Sequence, residues 1–204
     1  MLDKNLLLVD IGGTNIRYAY SNIGDSGFVS ENKAELDSLN DFDNLMSVLL
    51  AKSDVKNIVF SVAGPKVNNS IKMTNRNFEI DADEIRKKFN LESCYLLNDW
   101  ESIGYSIRTF SENDFDNFKE GEPFNDTFLV IGPGTGLGAS VISGNNVIAT
   151  EIGNTNLGLS ALKSLLELNS DEFSVLEDVI SGTGISRIFE TKTGNKVKSE
   201  EIFS

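Results

Sequence analysis

The stretch Leu6–Tyr20, LLLVDIGGTNIRYAY, predicts a β-hairpin with a glycine turn. Its apolar first half ends at Asp10, Gly12 and Gly13 form the turn, and the second half alternates as a strand does. Glycines in such a turn let backbone N–H groups approach a ligand closely, and the Asp10 carboxylate and the Thr14 hydroxyl add polar groups. The stretch therefore predicts either a phosphate-binding loop or a hairpin turn in which Asp and Gly serve only the geometry.

The same order of strand, glycine turn and strand recurs at residues 128–142, FLVIGPGTGLGASVI. Four glycines stand at alternate positions of Gly132–Gly138, more than a plain hairpin needs, and this favours a phosphate cradle. A dinucleotide-binding fingerprint would have to open a helix, whereas Ala139–Ile142 has the pattern of a strand. Neither glycine loop contains the Gly-Lys-Ser/Thr of a P-loop. The recurrence indicates a duplicated architecture, although the two segments share no alignable repeat.

The elements predicted between the glycine loops include two strands and a helix that follows the second of them. Val55–Val62 and Cys94–Leu97 are apolar runs of strand length, and a helix is predicted from about Trp100 to Ile107. Asn98-Asp99 separates the second strand from that helix, at a position where a polar side chain often caps the helix N-terminus. Asp99 is therefore open to two interpretations, as a helix cap or as a functional carboxylate.

The organisation of the chain follows from one more helix and one polar segment. Apolar residues at helical spacing predict the helix: Phe42, Leu45, Val48 and Leu49. Residues 111–125 are acidic and polar, which is typical of a connection between domains. We therefore predict an N-terminal domain at 1–110 and a second domain at 126–204.

The charge and the apolar content limit the partners that this chain can have. Its 204 residues carry a net charge of −13, which argues against binding to nucleic acid. The apolar runs are far shorter than the about 20 residues that a bilayer requires, and no basic N-terminal segment indicates a secretory signal. The single cysteine, Cys94, cannot form an intramolecular disulfide and is predicted to be a buried structural thiol. We expect a cytoplasmic protein without a membrane partner.

The absence of histidine excludes several mechanisms. A Ser-His-Asp triad, a Cys-His pair and a His-ligated metal all require an imidazole. A general base at neutral pH would therefore be a carboxylate, with lysine as the less suitable choice. A nucleotide would have to be held locally against the negative net charge, by backbone N–H groups of the glycine loops and by Mg²⁺.

Five short motifs, in this order, resemble those of the bacterial glucokinases, which are related to hexokinase and actin. They are Asp10–Asn15, Ala63-Gly64-Pro65 with Met73-Thr74-Asn75, Leu97-Asn98-Asp99, Gly132–Gly138, and Glu177 with Ser181-Gly182-Thr183-Gly184. The resemblance implies an α/β protein with the actin-like ATPase (ribonuclease H-like) fold, which has a mixed sheet with flanking helices in each of two domains. It also implies that the second domain is incomplete, because glucokinases continue well beyond the position of Ser204.

The resemblance implies ATP-dependent phosphorylation of a hexose, with glucose as the first candidate, at its 6-hydroxyl. Asp99 would accept the proton of that hydroxyl as general base. Further sugar contacts would come from Asn75, Asn98, Glu151, Asn154 and Glu177. Contacts with ATP would come from Asp10, Gly12, Gly13, Thr14, Asn15, Gly132, Gly134, Thr135, Gly136 and Gly182. Asp10 would also position Mg²⁺ through water.

The chain departs from the family's pattern in two places. The family has Glu-x-Gly-His where this chain has Glu151-Ile152-Gly153-Asn154. Asparagine can donate and accept hydrogen bonds to hydroxyls, so sugar binding is compatible with the change, and the acceptor could be a different hexose or an amino sugar. The family's adenosine-binding glycine segment and terminal helix have no counterpart in the 204 residues. We therefore expect a truncated reading frame or a fragment.

Two alternatives to glucokinase activity remain open, and a third is nearly excluded. The first is a non-catalytic module of the same fold that binds sugar or nucleotide, or serves only in assembly. The second is a kinase for a different sugar or for an acyl substrate. The third, a DNA-binding sugar repressor, would need an N-terminal helix-turn-helix, whereas a strand is predicted at Leu6–Val9. By resemblance we expect a homodimer.

Overall fold

A computed structural model describes residues 3–12, 15–35, 39–73, 79–122, 125–169 and 171–202. The chain forms two compact units, Met1–Ser102 and Ile103–Ser204, called unit 1 and unit 2. The division falls inside a helix, whereas the division predicted from the sequence lies at 111–125. Among the described residues, no helix combines the length and the apolar character that crossing a membrane requires.

Unit 1 is built on a mixed five-stranded sheet. Its elements are β1 (Leu6–Ile11), β2 (Asn15–Ser21), β3 (Val29–Glu35), α1 (Leu39–Leu50), β4 (Asn57–Val62), β5 (Lys66–Val67), β6 (Ser70–Lys72), β7 (Glu79–Asp81), α2 (Ala82–Lys88), β8 (Ser93–Asn98) and the start of α3 (Asp99–Ser106). The sheet has the order β3-β2-β1-β4-β8. β1, β4 and β8 are parallel, and β2 pairs antiparallel with both β1 and β3. The hairpin predicted at Leu6–Tyr20 is therefore confirmed.

The core of unit 1 lies between the sheet and its helices. β1 alternates between half-buried and buried residues, and Leu7, Val9 and Ile11 enter the core. α1 covers this surface with Phe42, whose ring lies 6.0 Å from that of Phe60 on β4. Fully burying an apolar side chain of this size contributes about 1.5–3 kcal/mol. The apolar alternation of the sequence thus fixes which face of the sheet is covered.

The buried face of α1 differs from the prediction at one residue. Val48 is 55% exposed, whereas Met46 is completely buried beside Phe42 and Leu49. Residues at i, i+3, i+4 and i+7 share one helix face, and this set contains Met46 but not Val48. Val48, at i+6 from Phe42, lies about 120° around the helix from it and is outside this face.

Cys94 lies in the core of unit 1 and should be unreactive in the native protein. The thiol is buried, and burial raises its pKa to about 12. Because the thiolate is the nucleophile, we expect no labelling by a maleimide at about pH 8 until the chain is unfolded in urea. Mass spectrometry with and without urea measures this difference. Rapid labelling of the native chain would contradict the buried position of Cys94.

Unit 2 contains a three-stranded antiparallel sheet followed by short helices. Its elements after α3 are β9 (Thr127–Pro133), β10 (Leu137–Ser143), β11 (Asn146–Thr150), α4 (Leu159–Leu165), α5 (Glu177–Ile180), α6 (Gly182–Thr193) and α7 (Ser199–Ile202), with 3₁₀ turns at Ile107–Thr109, Glu112–Asp114 and Ile152–Asn154. The sheet order is β11-β10-β9. The strand predicted at Ala139–Ile142 lies inside β10. The second glycine loop therefore opens a strand, as predicted, and no helix follows it directly.

Candidate active site

The carboxyl ends of three parallel strands meet at one edge of the unit 1 sheet. In the register of the sheet, Ile11 pairs with Val62, and Val62 pairs with Asn98. Neighbouring strands are about 4.8 Å apart, so the ends of β1 and β8 lie about 10 Å from each other. Asp10 is the residue before the last in β1, and Asp99 directly follows β8. In α/β proteins this edge is the usual place for a ligand.

Asn98 caps the N-terminus of α3. The Asn98 side chain is buried, and its Oδ1 accepts hydrogen bonds from the N–H groups of Trp100, at 2.9 Å, and Glu101, at 3.3 Å. In return, Glu101 Oε2 accepts from the Asn98 N–H at 3.2 Å. This reciprocal pair is a capping box. The N-cap is therefore Asn98, one residue before the position that the sequence suggested.

Asn98 also holds the loop that follows β4. Its Nδ2 donates a hydrogen bond to the carbonyl oxygen of Gly64 at 2.8 Å. Gly64 has a φ of +146°, and a Cβ at this residue would lie 2.9 Å from the carbonyl oxygen of Lys72. Only glycine suits both conditions. The motif Ala63-Gly64-Pro65 is thus fixed to the end of β8.

Glu101 and Lys66 support this edge, and neither residue was predicted from the sequence. Lys66 Nζ lies 3.2 Å from Glu101 Oε2, and the Glu101 side chain is largely buried. The available signal was the spacing Asn98-x-x-Glu101, which is the sequence pattern of a capping box. No local sequence pattern indicates that Lys66 is the partner of Glu101.

Asp99 and Asp10 are the predicted acidic residues at this edge. Asp99 is half-buried at the first position of α3, and its Oδ1 lies 2.9 Å from the Trp100 nitrogen. Asp10 is also half-buried; its Oδ1 accepts from Ser61 Oγ at 3.2 Å, and its Oδ2 lies 3.6 Å from Arg17 Nη1. Each carboxylate thus has a defined position at the sheet edge.

The carboxylate of Asp10 fits a magnesium ion whose other ligands are water molecules and substrate phosphates. Among the described residues, no group of three or more His, Cys, Asp or Glu side chains could hold a metal. Mg²⁺ usually keeps several waters and takes one or two carboxylates together with substrate phosphates. Asp10 fits this pattern as a single carboxylate, which would hold the ion through water. Of the other predicted residues, Gly12 donates its N–H to the Asn15 carbonyl at 3.0 Å. Gly13, Thr14 and Asn75 lie outside the described residues.

The second glycine loop is the tip of the β9–β10 hairpin. Pro133 pairs with Leu137 and Gly132 with Gly138, so Gly134–Gly136 forms the connection. Neither Gly134 nor Gly136 has a left-handed backbone. At Gly136 the requirement is space, because a Cβ there would lie 2.5 Å from Glu177 Oε2. Close approach by another group, rather than a positive φ, explains this glycine.

The loop is attached to α5 and α6 by hydrogen bonds. Glu177 Oε2 accepts from the Leu137 N–H at 2.9 Å. The Gly182 N–H donates to the Gly134 carbonyl at 2.8 Å, and Thr183 Oγ1 donates to the Thr135 carbonyl at 2.9 Å. The structure therefore brings together the predicted residues Gly134, Thr135, Gly136, Glu177 and Gly182.

Glu151 and Asn154 form a separate exposed pair in unit 2. Asn154 Nδ2 donates to Glu151 Oε2 at 3.1 Å across the 3₁₀ turn. Between them, Gly153 is buried, and a Cβ there would lie 2.6 Å from the Leu137 carbonyl oxygen and 3.3 Å from Glu177 Cβ. The turn thus packs on the residues that fix the second glycine loop.

A cavity adjoins the second glycine loop. Its volume is about 680 Å³, and its lining includes Gly134, Thr135, Gly182, Thr183 and Lys198. This volume lies within the range of pockets that bind small molecules, about 300–1,000 Å³. The lining also includes Pro133, Ile185 and Glu200, so the cavity combines a lysine and hydroxyl groups with apolar side chains and a carboxylate.

Comparison with known proteins identifies the family. The sequence model of the family described as Glucokinase matches residues 7–202. The chain belongs to the glucokinase family. The glucokinase of Nostoc punctiforme is 29% identical over 212 residues, which covers 96% of this chain and 62% of the relative. The chain therefore spans about 62% of the length of this curated glucokinase.

Solved structures of glucokinases have the same fold. A glucokinase from an Antarctic psychrotroph matches with a TM-score of 0.73 and 24% identity, over 97% of this chain and 67% of that one. The ROK family glucokinase of Streptomyces griseus, in complex with glucose and AMPPNP, matches with a TM-score of 0.59 and 17% identity, over 93% and 62% of the two chains. These matches confirm the predicted actin-like α/β fold. They also show that this chain covers only part of the length of each solved glucokinase.

Asp178 stabilises the start of α5 in this glucokinase-family chain, and its role depends on pH. Its carboxylate accepts from the N–H groups of Ser174 and Val175 at 2.9 and 3.1 Å, and from Arg187 Nη1 at 2.8 Å. Burial acts to raise the pKa of Asp178, but these hydrogen bonds outweigh it and lower the pKa. The stabilisation is therefore present above the pKa of the unfolded chain, about 3.9, and is lost as the pH falls through the folded pKa.

We expect Asp178→Asn to lower the free energy of unfolding by about 1–2 kcal/mol near neutral pH, because a charged acceptor is lost. The difference in the free energy of unfolding between the variant and the wild type should shrink in acid, below the pKa that Asp178 has in the unfolded chain. Urea unfolding followed by circular dichroism at both pH values measures it. Asp171→Asn, at an exposed position, is the matched control and should behave like the wild type. An equal loss at both pH values would contradict a role for the charge.

Proposed function

We propose that the protein is a cytoplasmic kinase that transfers the γ-phosphoryl group of ATP to the 6-hydroxyl of a hexose, with glucose as the first acceptor to test. The observation that carries this proposal is the arrangement of Asn98 and Asp99 at the edge of the unit 1 sheet. There Asn98 caps α3, and the Asp99 carboxylate follows it at the first helical position. Family membership supports the reaction class, and the Streptomyces griseus relative was solved with glucose and AMPPNP.

Asp99 is the proposed general base. Phosphoryl transfer depends mainly on positioning and on charge neutralisation, and a carboxylate oriented on the attacking hydroxyl is the usual arrangement. Asp99 would take the proton of the 6-hydroxyl as its oxygen attacks the γ-phosphorus and the bond to the β-phosphate oxygen breaks. Because the chain contains no histidine, a carboxylate is the suitable base near neutral pH.

The remaining predicted residues would bind the two substrates. Asn98 has one amide hydrogen beyond the bond to Gly64 that it can offer to a sugar hydroxyl. The other proposed sugar contacts are Asn75, Glu151, Asn154 and Glu177. The proposed nucleotide contacts are Asp10, Gly12, Gly13, Thr14, Asn15, Gly132, Gly134, Thr135, Gly136 and Gly182. Mg²⁺, held through water by Asp10, would neutralise charge on the phosphates.

A kinase for a different sugar is the second candidate function. The observation that favours it is Asn154, which stands where the family pattern has histidine and is hydrogen-bonded to Glu151. An amide and an imidazole present different donors and acceptors to a sugar, so the preferred acceptor can change while the reaction stays the same.

A panel of acceptors tests both candidates. ADP release is measured with Mg²⁺-ATP and glucose, mannose, N-acetylglucosamine, N-acetylmannosamine or 6-deoxyglucose. The proposal predicts release with glucose and none with 6-deoxyglucose, which lacks the attacking hydroxyl. Release with an amino sugar but not with glucose would favour the second candidate. Release that is the same with 6-deoxyglucose as with glucose would contradict transfer to the 6-hydroxyl.

A further inference from the structure

We propose that Glu177 is a positioning residue that holds the second glycine loop, Gly132–Gly138, in the conformation that binds nucleotide phosphates. This inference rests on the proposed function and gives Glu177 a second role beside the proposed sugar contact. It depends on contacts within unit 2 alone.

The first support is the hydrogen bond from the Leu137 N–H to Glu177 Oε2, at 2.9 Å. Hydrogen bonds with an ionised acceptor are about twice as strong as those between neutral groups. Glu177 is half-buried, so this bond is partly protected from water. The bond fixes the residue at which the loop enters β10.

The second support is the fit between Glu177 and Gly136. A Cβ at Gly136 would lie 2.5 Å from Glu177 Oε2 and 3.5 Å from its Cδ. The loop backbone therefore passes directly beside the carboxylate, and a side chain at this position would displace it. The glycine and the glutamate are complementary in shape.

The third support is the direction in which the loop amides point. The carbonyl oxygens of Gly134 and Thr135 accept hydrogen bonds from Gly182 and Thr183 at the start of α6. In a trans peptide the N–H points opposite to the C=O. The N–H groups of Thr135 and Gly136 consequently face away from α6, on the side where a phosphate oxygen could accept from them.

Glu177 itself has little freedom to move. Its Cβ lies against Gly153, where an added Cβ would be 3.3 Å away, and its carbonyl oxygen accepts from the Ser181 N–H at 3.2 Å. The carboxylate is thus held between the Ile152–Asn154 turn and the second glycine loop. A residue fixed in this way can transmit its position to the loop.

Two substitutions separate positioning of the loop from a sugar contact. Glu177→Ala removes the acceptor, whereas Glu177→Gln keeps an oxygen that can accept from the Leu137 N–H. Glu190→Ala, at an exposed position on α6, is the matched control. Hydrogen exchange of the Leu137 amide, followed by NMR, reports the contact. Calorimetric titration with AMPPNP and with glucose reports the affinity for each ligand.

We expect Glu177→Ala to speed Leu137 exchange and to weaken AMPPNP binding by about tenfold or more, as loss of a charged hydrogen bond implies. Glu177→Gln should lose less than Glu177→Ala in both measurements, since it retains an acceptor oxygen but not the charge. Unchanged Leu137 exchange in Glu177→Ala would overturn the proposal, as would a loss of glucose affinity alone. A wild-type chain that binds no AMPPNP would contradict the proposed function, while the exchange rates would still decide whether Glu177 holds the loop.

Discussion

Replacing Asp99 with asparagine is expected to lower hexose-dependent ADP formation by about a hundredfold or more, the usual contribution of general-base catalysis. Asparagine has nearly the same shape but cannot take the proton of the attacking hydroxyl. Since Asn98 and Glu101 form the capping box, α3 should keep its start in the variant. The steady-state rate with Mg²⁺-ATP and saturating hexose measures the effect.

Binding measurements distinguish catalysis from substrate contact in this variant. Glucose affinity of Asp99→Asn should remain within about threefold of the wild type, because the amide still offers an acceptor oxygen. Asp83→Asn, an exposed carboxylate in the first turn of α2, is the matched control and should retain full activity. An Asp99→Asn chain with the wild-type rate would show that another group removes the proton.

Replacing Gly184 with alanine is expected to destabilise unit 2 and to weaken nucleotide binding. Gly184 is buried in the first turn of α6, and a Cβ there would lie 2.5 Å from the carbonyl oxygen of Asp178 and 2.8 Å from that of Glu177. These are backbone atoms, so α6 must shift, and Gly182 and Thr183 shift with it. Overpacking of this kind lowers the free energy of unfolding by about 1–3 kcal/mol.

Close packing and helix propensity predict opposite changes in stability for Gly184→Ala. Alanine is normally favoured over glycine in a helix by about 1 kcal/mol, so propensity alone predicts stabilisation. Gly121→Ala is the control, because a Cβ at Gly121 meets no atom within 4 Å. Urea unfolding and AMPPNP titration of both variants measure the two effects. A Gly184→Ala chain as stable as the wild type would contradict the close packing of α5 and α6.

The elements that the sequence predicted well are those with local signals. Both hairpins follow from apolar runs interrupted by glycines, and the strand before Asn98 follows from its apolar run. The predictions for two helices were wrong at single residues. Val48 was assigned to the buried face of α1 in place of Met46, and the cap of α3 lies at Asn98 rather than at Asp99.

The contacts that shape the second glycine loop could not be predicted from the sequence. Glu177 and Leu137 are 40 residues apart, and their hydrogen bond leaves no periodic pattern. The same holds for Gly136, whose glycine is explained by the neighbouring carboxylate and not by its own backbone conformation. The resemblance predicted roles for Gly136 and Glu177, but only the structure shows which groups they touch.

The most direct test of the account is transfer of labelled phosphate from γ-labelled ATP to glucose by the 204-residue chain. We expect labelled glucose 6-phosphate that forms only when glucose is present and falls to background in Asp99→Asn. Binding of glucose and AMPPNP without any labelled product above the Asp99→Asn background would contradict it and leave a non-catalytic module of the glucokinase fold.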